Sequence, residues 1–253
     1  MRRLVVLGSC GAYPEPGRAC SGFLVEVDGF RIVLDLGFGT LPRLLAHCPG
    51  GQVDAVVITH EHSDHCVDLN GLFRVHYFSD GSGRIPLYCP PGVLTRINGL
   101  EPEGELADVF DIHTLPGHYD LGPFQLDALP LPHFVPNAGI RLSAPGCVLA
   151  YTGDSLPDPA LADLGADADL FIVNASRHRP PPMGTRRGAV AATEAGEWAH
   201  RAGAKRLLLS HFQPGIDRTI STELAAEAFS GQILAAHEDL VVALPRQATG
   251  QPS

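Results

Sequence analysis

Seven residues, Thr59-His60-Glu61-His62-Ser63-Asp64-His65, set the terms for any fold this chain can adopt. They follow Val53-Asp54-Ala55-Val56-Val57-Ile58, a β-branched apolar run of strand length, and precede a helix-like segment from about 66 to 77. The fold must therefore deliver three imidazoles and a carboxylate to the turn at the carboxyl end of a buried strand. Alternation along an extended backbone puts His60 and His62 on one side. Asp64 and His65, where the chain turns, can aim at the same region. One zinc ion usually takes four ligands in all, so this turn would crowd a single ion. Two adjacent ions accommodate it, with His60 and His62 on one and Asp64 and His65 on the other. A solvated loop whose histidines cap the next helix would need no such spacing and no further ligands downstream.

A pair of ions needs roughly three more ligands, and three candidates stand at strand ends. His133 closes the run 126–132, where prolines keep the backbone extended. Asp154 follows the strand 147–151 in Tyr151-Thr152-Gly153-Asp154-Ser155, and His211 ends the apolar Arg206-Leu207-Leu208-Leu209-Ser210. Singly, each has an ordinary explanation: an incidental loop histidine, a turn aspartate, a satisfied core histidine. Jointly they lie where open α/β folds place their sites, at strand carboxyl ends.

At 253 residues, 45% of them hydrophobic, the chain can bury a substantial core as one domain, 1–253. No run approaches the roughly 18 apolar residues of a membrane span, and Met1–Gly8 reads as a first strand, not a leader. Six scattered cysteines without a C-x-x-C pair predict reduced thiols and a cytoplasmic protein. The formal charge of −10 argues against a large polyanionic partner. Two bound cations would offset part of it.

Strands are predicted at 4–7, 23–27, 31–35, 53–58, 85–89, 111–115, 124–131, 138–142, 147–151, 169–173, 205–210 and 239–244. Asp28-Gly29 joins the second and third as a hairpin. Helices are predicted after Thr40, at 66–77, 93–98, 158–164 and 189–202, and from a Ser221 cap to 229. The segment 99–110 reads as irregular, and 79–84 and 177–187 read as loops. Each half runs strands first and helices after. That favours an α/β fold of two face-to-face sheets with helices outside, a four-layer αββα sandwich.

The H60-E-H62-S-D64-H65 element, His133, Tyr151-Thr152-Gly153-Asp154, Leu209-Ser210-His211 and Asp35-Leu36-Gly37-x-Gly39-Thr40 together resemble the metallo-β-lactamase-fold hydrolases, in the ribonuclease Z and phosphodiesterase branch. The resemblance implies that His60, His62 and His133 hold one metal, that Asp64, His65 and His211 hold the other, and that Asp154 bridges them. Asp35 would orient a ligand imidazole. Two divalent ions about 3.5–4 Å apart would share a water whose pKa falls towards about 7, making it the nucleophile, with Asp64 and Asp154 as the catalytic carboxylates. Zinc is favoured by the imidazole-rich set, with manganese or iron as alternatives. The expected activity is hydrolysis of small phosphodiesters such as cyclic nucleotides. The alternatives are a lactone, ester or thioester hydrolase on the same site, or a low-turnover metal-binding regulatory scaffold.

The sequence departs from ribonuclease Z at two places. That family carries a Glu after the strand that here ends at Val173, and a His near the next helix; this chain has Asn174 and a position near Ala189. Neither can transfer a proton near neutral pH, and no long Gly/Pro-rich arm is present to grip transfer RNA. The expected partner is therefore a small anionic substrate and not transfer RNA. No membrane contact is expected, and a homodimer is compatible with the sequence. His178, His118 and His76 are candidates to replace the missing acid. Arg177, His178 and Arg179 are candidate substrate residues on the 177–187 loop, which three prolines stiffen.

Overall fold

The computed structural model describes residues 1–79 and 83–246, so the turn expected at 79–84 lies partly outside the described residues. The first half runs β1 (Arg2–Gly8), β2 (Gly22–Val27), β3 (Phe30–Leu36), α1 (Thr40–His47), β4 (Ala55–Val57), α2 (Ser63–Cys66), α3 (Asp68–Tyr77), β5 (Ile85–Cys89), α4 (Pro91–Asn98), α5 (Leu106–Val109) and β6 (Phe110–Thr114). The second runs β7 (Gly117–Leu121), β8 (Phe124–Leu131), β9 (Asn137–Ala144), β10 (Cys147–Tyr151), α6 (Ala160–Leu164), β11 (Leu170–Arg177), β12 (Val190–Ala191), α7 (Ala192–Arg201), β13 (Arg206–Ser210), α8 (Arg218–Ala225), β14 (Gln232–Ala235) and β15 (Val241–Ala243). One sheet has the order β15-β1-β2-β3-β4-β5-β6, and the other β14-β13-β11-β10-β9-β8-β7, with β12 on β11. The expected four layers are present.

Strand alternation explains the layering. In β1, Leu4 and Val6 enter the core between the sheets, while Val5 and Leu7 pack outward beneath α1 and α3; in β3, Ile32 and Leu34 face in and Val33 faces out. A sheet buried on both faces needs this continuous apolar reading. Each fully buried large side chain contributes roughly 1.5–3 kcal/mol. Phe23 of β2 and Tyr151 of β10 meet edge-to-face across the sheets, with centroids 5.2 Å apart. The Asp28-Gly29 turn forms as expected, both residues taking positive φ (54° and 96°).

Several local expectations give way. The edge strands β7 and β14 were not foreseen: Gly117–Leu121 carries little apolar signal, and the apolar run of Gln232–Ala235 is too short to tell a strand from a helix end. Within the acidic stretch 99–110, α5 forms because the Glu105 N–H donates to Asp108 Oδ2 at 2.9 Å. Gly39, not Thr40, occupies the cap position of α1, and Thr40 Oγ1 donates to the Gly37 carbonyl instead. The last helix starts three residues before Ser221, capped by Asp217, whose Oδ1 accepts from the Thr219 and Ile220 N–H groups. The predicted helix at 66–77 is split at Val67 into α2 and α3.

Candidate metal centre

Strand ends deliver every candidate ligand to one rim of the sandwich: the motif after β4, His133 after β8, Asp154 after β10 and His211 after β13. His60 Nε2 and His133 Nε2 each lie 3.1 Å from His62 Nδ1. At most one proton can sit between any two of these nitrogens, so at least one lone pair must face another donor atom or a cation. Asp154 Oδ2 stands 3.8 Å from His133 Nε2. On the other side, Asp64 Oδ2 lies 3.2 Å from His211 Nε2 and 3.7 Å from His65 Nε2, while Asp154 Oδ1 lies 3.3 and 3.6 Å from the same two nitrogens. Ligands about 2.0–2.1 Å from one tetrahedral ion sit roughly 3.3 Å from each other. His60, His62, His133 and Asp154 form one group able to hold a metal, and Asp64, His65 and His211 form a second.

The outer ring nitrogens explain why the inner ones converge. His60 Nδ1 is 3.0 Å from Thr59 Oγ1, His65 Nδ1 2.7 Å from Asp35 Oδ2, His133 Nδ1 2.8 Å from the Gly188 carbonyl, and His211 Nδ1 2.9 Å from Ser176 Oγ. Each outer N–H donates away from the site, leaving Nε2 turned inward. Buried Asp35, at positive φ (57°), accepts from the Thr59 N–H, the Thr59 hydroxyl, His65 Nδ1 and the Tyr151 hydroxyl. It thereby orients one imidazole directly and His60 through Thr59. The Nε2 of His65 is fully enclosed and has no hydrogen-bond partner. An imidazole nitrogen without a partner, set beside two carboxylates, matches the donor set of a divalent cation, so the residues present fit a metal.

Burial lowers the pKa of His60 well below its ordinary value, helped by His65 and the neighbouring imidazoles, and burial likewise lowers His62 and His133. All three are neutral, as metal ligands must be. Burial opposes the charged forms of His65 and Asp64 as well, but their proximity prevails. Asp154, Asp64 and Asp35 push His65 up to about 9, and His65, His211 and the Ala12 N–H hold Asp64 far below the carboxylate range. Gly37 backs this corner: a Cβ there would run into the Asp64 carbonyl oxygen.

The groups open into a cleft of about 330 Å³ lined by Ala12, His62, Asp64, His133, Phe134, Asp154, Ser176, Arg177, Arg186, Arg187, Gly188, Ala189, His211 and Gln213. A larger cavity of about 530 Å³ near Arg31 and Asp54 contains none of the convergent ligand atoms. The position of the chemistry therefore identifies the site better than cavity size does. From the 177–187 loop, Arg177, Arg186 and Arg187 line the cleft, with the Arg186 guanidinium 4.2 Å from the Phe134 ring and Arg187 held by Glu194 at 2.7 Å. Arg179 instead pairs with Glu227 at 2.7 Å on the exposed surface, and His178 Nε2 meets the Asp217 carbonyl. His118 pairs with Asp127, and His76 with the Gly51 carbonyl. None of these three histidines lines the cleft. Phe134, Ser176 and Gln213 were given no role by sequence reasoning, Tyr151 entered only as part of the motif that ends at Asp154, and Arg186 only as one guanidinium of the loop. The available signals were Arg186 in the basic loop and Phe134 directly after His133. All six cysteines are free and buried, and burial pushes Cys66 and Cys89 up to about 12, far from nucleophilic.

The family model for the Beta-lactamase superfamily domain matches residues 30–212. The chain is 34% identical over 249 residues to the "Uncharacterized protein Rv1339" of Mycobacterium tuberculosis, covering 91% of this chain and 88% of that one. It is 27% identical over 242 residues to "Probable metallo-hydrolase YhfI" of Bacillus subtilis, covering 91% and 95%. The crystal structure of YhfI superposes with a TM-score of 0.86 over 96% of this chain and 99% of that chain. Human tRNase Z, short form, superposes with a TM-score of 0.77 at 23% identity over 96% and 100%, a likeness of fold.

Proposed function

This chain belongs to the β-lactamase superfamily and is a metal-dependent hydrolase, and we propose that it cleaves small anionic phosphodiesters, cyclic nucleotides among them, with two divalent ions. The observation that carries the reading is the convergence of two ligand groups on either side of one carboxylate, Asp154. His60, His62 and His133 would hold one ion, Asp64, His65 and His211 the other, with Asp154 between them and residues 1–253 acting as one domain. Zinc suits this imidazole-rich set, and manganese or iron the carboxylates. When bound, such ions lower the pKa of water towards about 7 and neutralise charge developing on phosphoryl oxygens.

The chain's own residues supply the rest. Asp64, whose pKa is lowered by His65, His211 and the Ala12 N–H, would fix one half of the centre, and Asp154 would link it to the other. Asp35 holds His65 and, through Thr59, His60 in the ligating tautomer. Arg177 and Arg186 on the cleft wall can take the substrate's non-reacting anionic oxygens, a role planar guanidinium groups fill bidentately. Phe134 and Ala189 form an apolar wall that strengthens those contacts by excluding water. The neutral cleft-facing residues offer no general acid, which keeps an ester, lactone or thioester hydrolase as a second reading. A panel of chromogenic phosphodiesters, esters and lactones decides between them. Phosphodiester turnover abolished by chelation and restored by zinc or manganese supports the first reading. Turnover of lactones or thioesters alone replaces it with the second, and turnover of none supports a regulatory scaffold.

A further inference from the structure

Asn174 stands at the end of the apolar β11, 1% exposed, where the ribonuclease Z group carries a Glu. Read as a sequence it marks a lost acid, but in the structure it is a double donor. Its Nδ2 donates to Asp154 Oδ1 at 3.0 Å and reaches the Tyr151 hydroxyl at 3.4 Å. That hydroxyl in turn donates to Asp35 Oδ2 at 2.7 Å, and the same oxygen accepts from His65 Nδ1 at 2.7 Å. Burial, with Asp35 beside it, keeps Tyr151 protonated and so able to donate. Asp154 Oδ1 lies 3.6 Å from His65 Nε2, which closes a ring: Asp154, Asn174, Tyr151, Asp35, His65.

Two further features point the same way. The Asn174 Oδ1 is buried without a partner. That arrangement costs stability, and it persists because the amide's donors must face Asp154 and Tyr151. Second, the oxygen that Asn174 grips is Oδ1, which faces His65 and His211; Oδ2, turned towards His133, has no contact from Asn174.

We propose that Asn174 is a positioning residue for one ion only, the one held by Asp64, His65 and His211, because its amide pins Asp154 Oδ1 and ties it through Tyr151 to the Asp35–His65 pair. The inference rests on the ligand assignment proposed above. Its chemistry is that of an outer hydrogen bond that aims a ligating carboxylate, an interaction whose removal typically costs about 10–100-fold in metal affinity.

The test titrates metal-free wild type, Asn174→Ala and Tyr151→Phe with zinc against a chromophoric chelator. Cobalt-substituted spectra and melting of the metal-free proteins are recorded alongside. Wild type should bind zinc at two resolvable sites. Asn174→Ala should weaken one of them about 10–100-fold, leave the other unchanged, and alter the cobalt bands of the weakened site alone. Tyr151→Phe, which keeps the ring that packs on Phe23, should weaken the same site by a smaller factor. Equal weakening of both sites together with a lowered metal-free melting temperature would assign Asn174 a structural role and overturn the proposal, as would unchanged affinities. A wild-type chain that takes up no second zinc overturns the ligand assignment itself, and the proposal with it.

Discussion

An alkyl phosphodiester needs a proton for its departing oxygen, and this cleft offers none. Among the described residues lining it, Ser176, Gln213 and the arginines do not release protons near neutral pH, and the imidazoles and carboxylates are the proposed ligands. The three histidines considered as replacement acids, His178, His118 and His76, are held elsewhere by Asp217, Asp127 and Gly51. General-acid help is typically about 10²–10⁴-fold, equivalent to about 2.7–5.4 kcal/mol of barrier. The perturbation is the leaving group itself: a series of methyl aryl phosphodiesters of rising phenol pKa, ending in a dialkyl diester. Measured as kcat/KM under fixed zinc, the rate should fall steeply and continuously along the series. The alkyl diester should lie at least about 10²-fold below its phenyl analogue. Strained cyclic diesters should fall between, since ring opening assists expulsion. A flat dependence, with aryl and alkyl diesters cleaved alike, would mean that a proton donor reaches the leaving oxygen and would refute the reasoning.

Changing Arg177 and Arg186 together to Ala should raise KM for an anionic diester several-fold and leave a neutral ester and the metal content unchanged, whereas Arg179→Ala, which only breaks the Glu227 pair, should do neither; steady-state kinetics on both substrates checks this. In metal-free protein, His60, His62 and His133 have lowered pKa values, so the unfolded chain protonates first as pH falls through about 6.5. Stability should then drop by up to about 1.4 kcal/mol per pH unit for each. His65, raised to about 9, acts oppositely: its contribution is full below about pH 6.5 and is lost as pH rises from there through about 9. Denaturant midpoints of chelated protein should therefore rise from about pH 5 to about pH 7; a flat or falling profile contradicts the burial argument. Gly37→Ala drives a Cβ into the Asp64 carbonyl and should cost about 1–3 kcal/mol in melting experiments while weakening zinc binding.

The layered fold and the seven converging side chains were legible because they rest on strong signals: apolar strands, and chemistry-bearing residues directly after them. Asp35, inside β3, entered only through the resemblance to the metallo-β-lactamase-fold hydrolases. What stayed hidden is what proximity in three dimensions creates. Tyr151 ends an apolar strand and reads as core, yet its hydroxyl crosses between the sheets to Asp35. Asn174 reads as a missing acid because sequence shows a residue type and not the 3.0 Å donor contact to Asp154. The arginine loop showed its charge but not its direction. Arg179 turns to Glu227 because α8 and the residues after it bring that carboxylate within reach, a long-range contact no local pattern encodes. The edge strand β7 escaped notice since an edge buries too little to need an apolar pattern, and β14 because a run of four residues does not separate strand from helix.

Asp154 bears the central claim, with one oxygen 3.3 Å from His211 Nε2 and the other 3.8 Å from His133 Nε2. Elemental analysis of purified wild type and Asp154→Ala, each paired with phosphodiester turnover, tests it most directly. Wild type should carry close to two divalent ions per chain, and Asp154→Ala should lose most of the second ion together with its activity. An Asp154→Ala protein that keeps both ions and full turnover would contradict the two-ion centre.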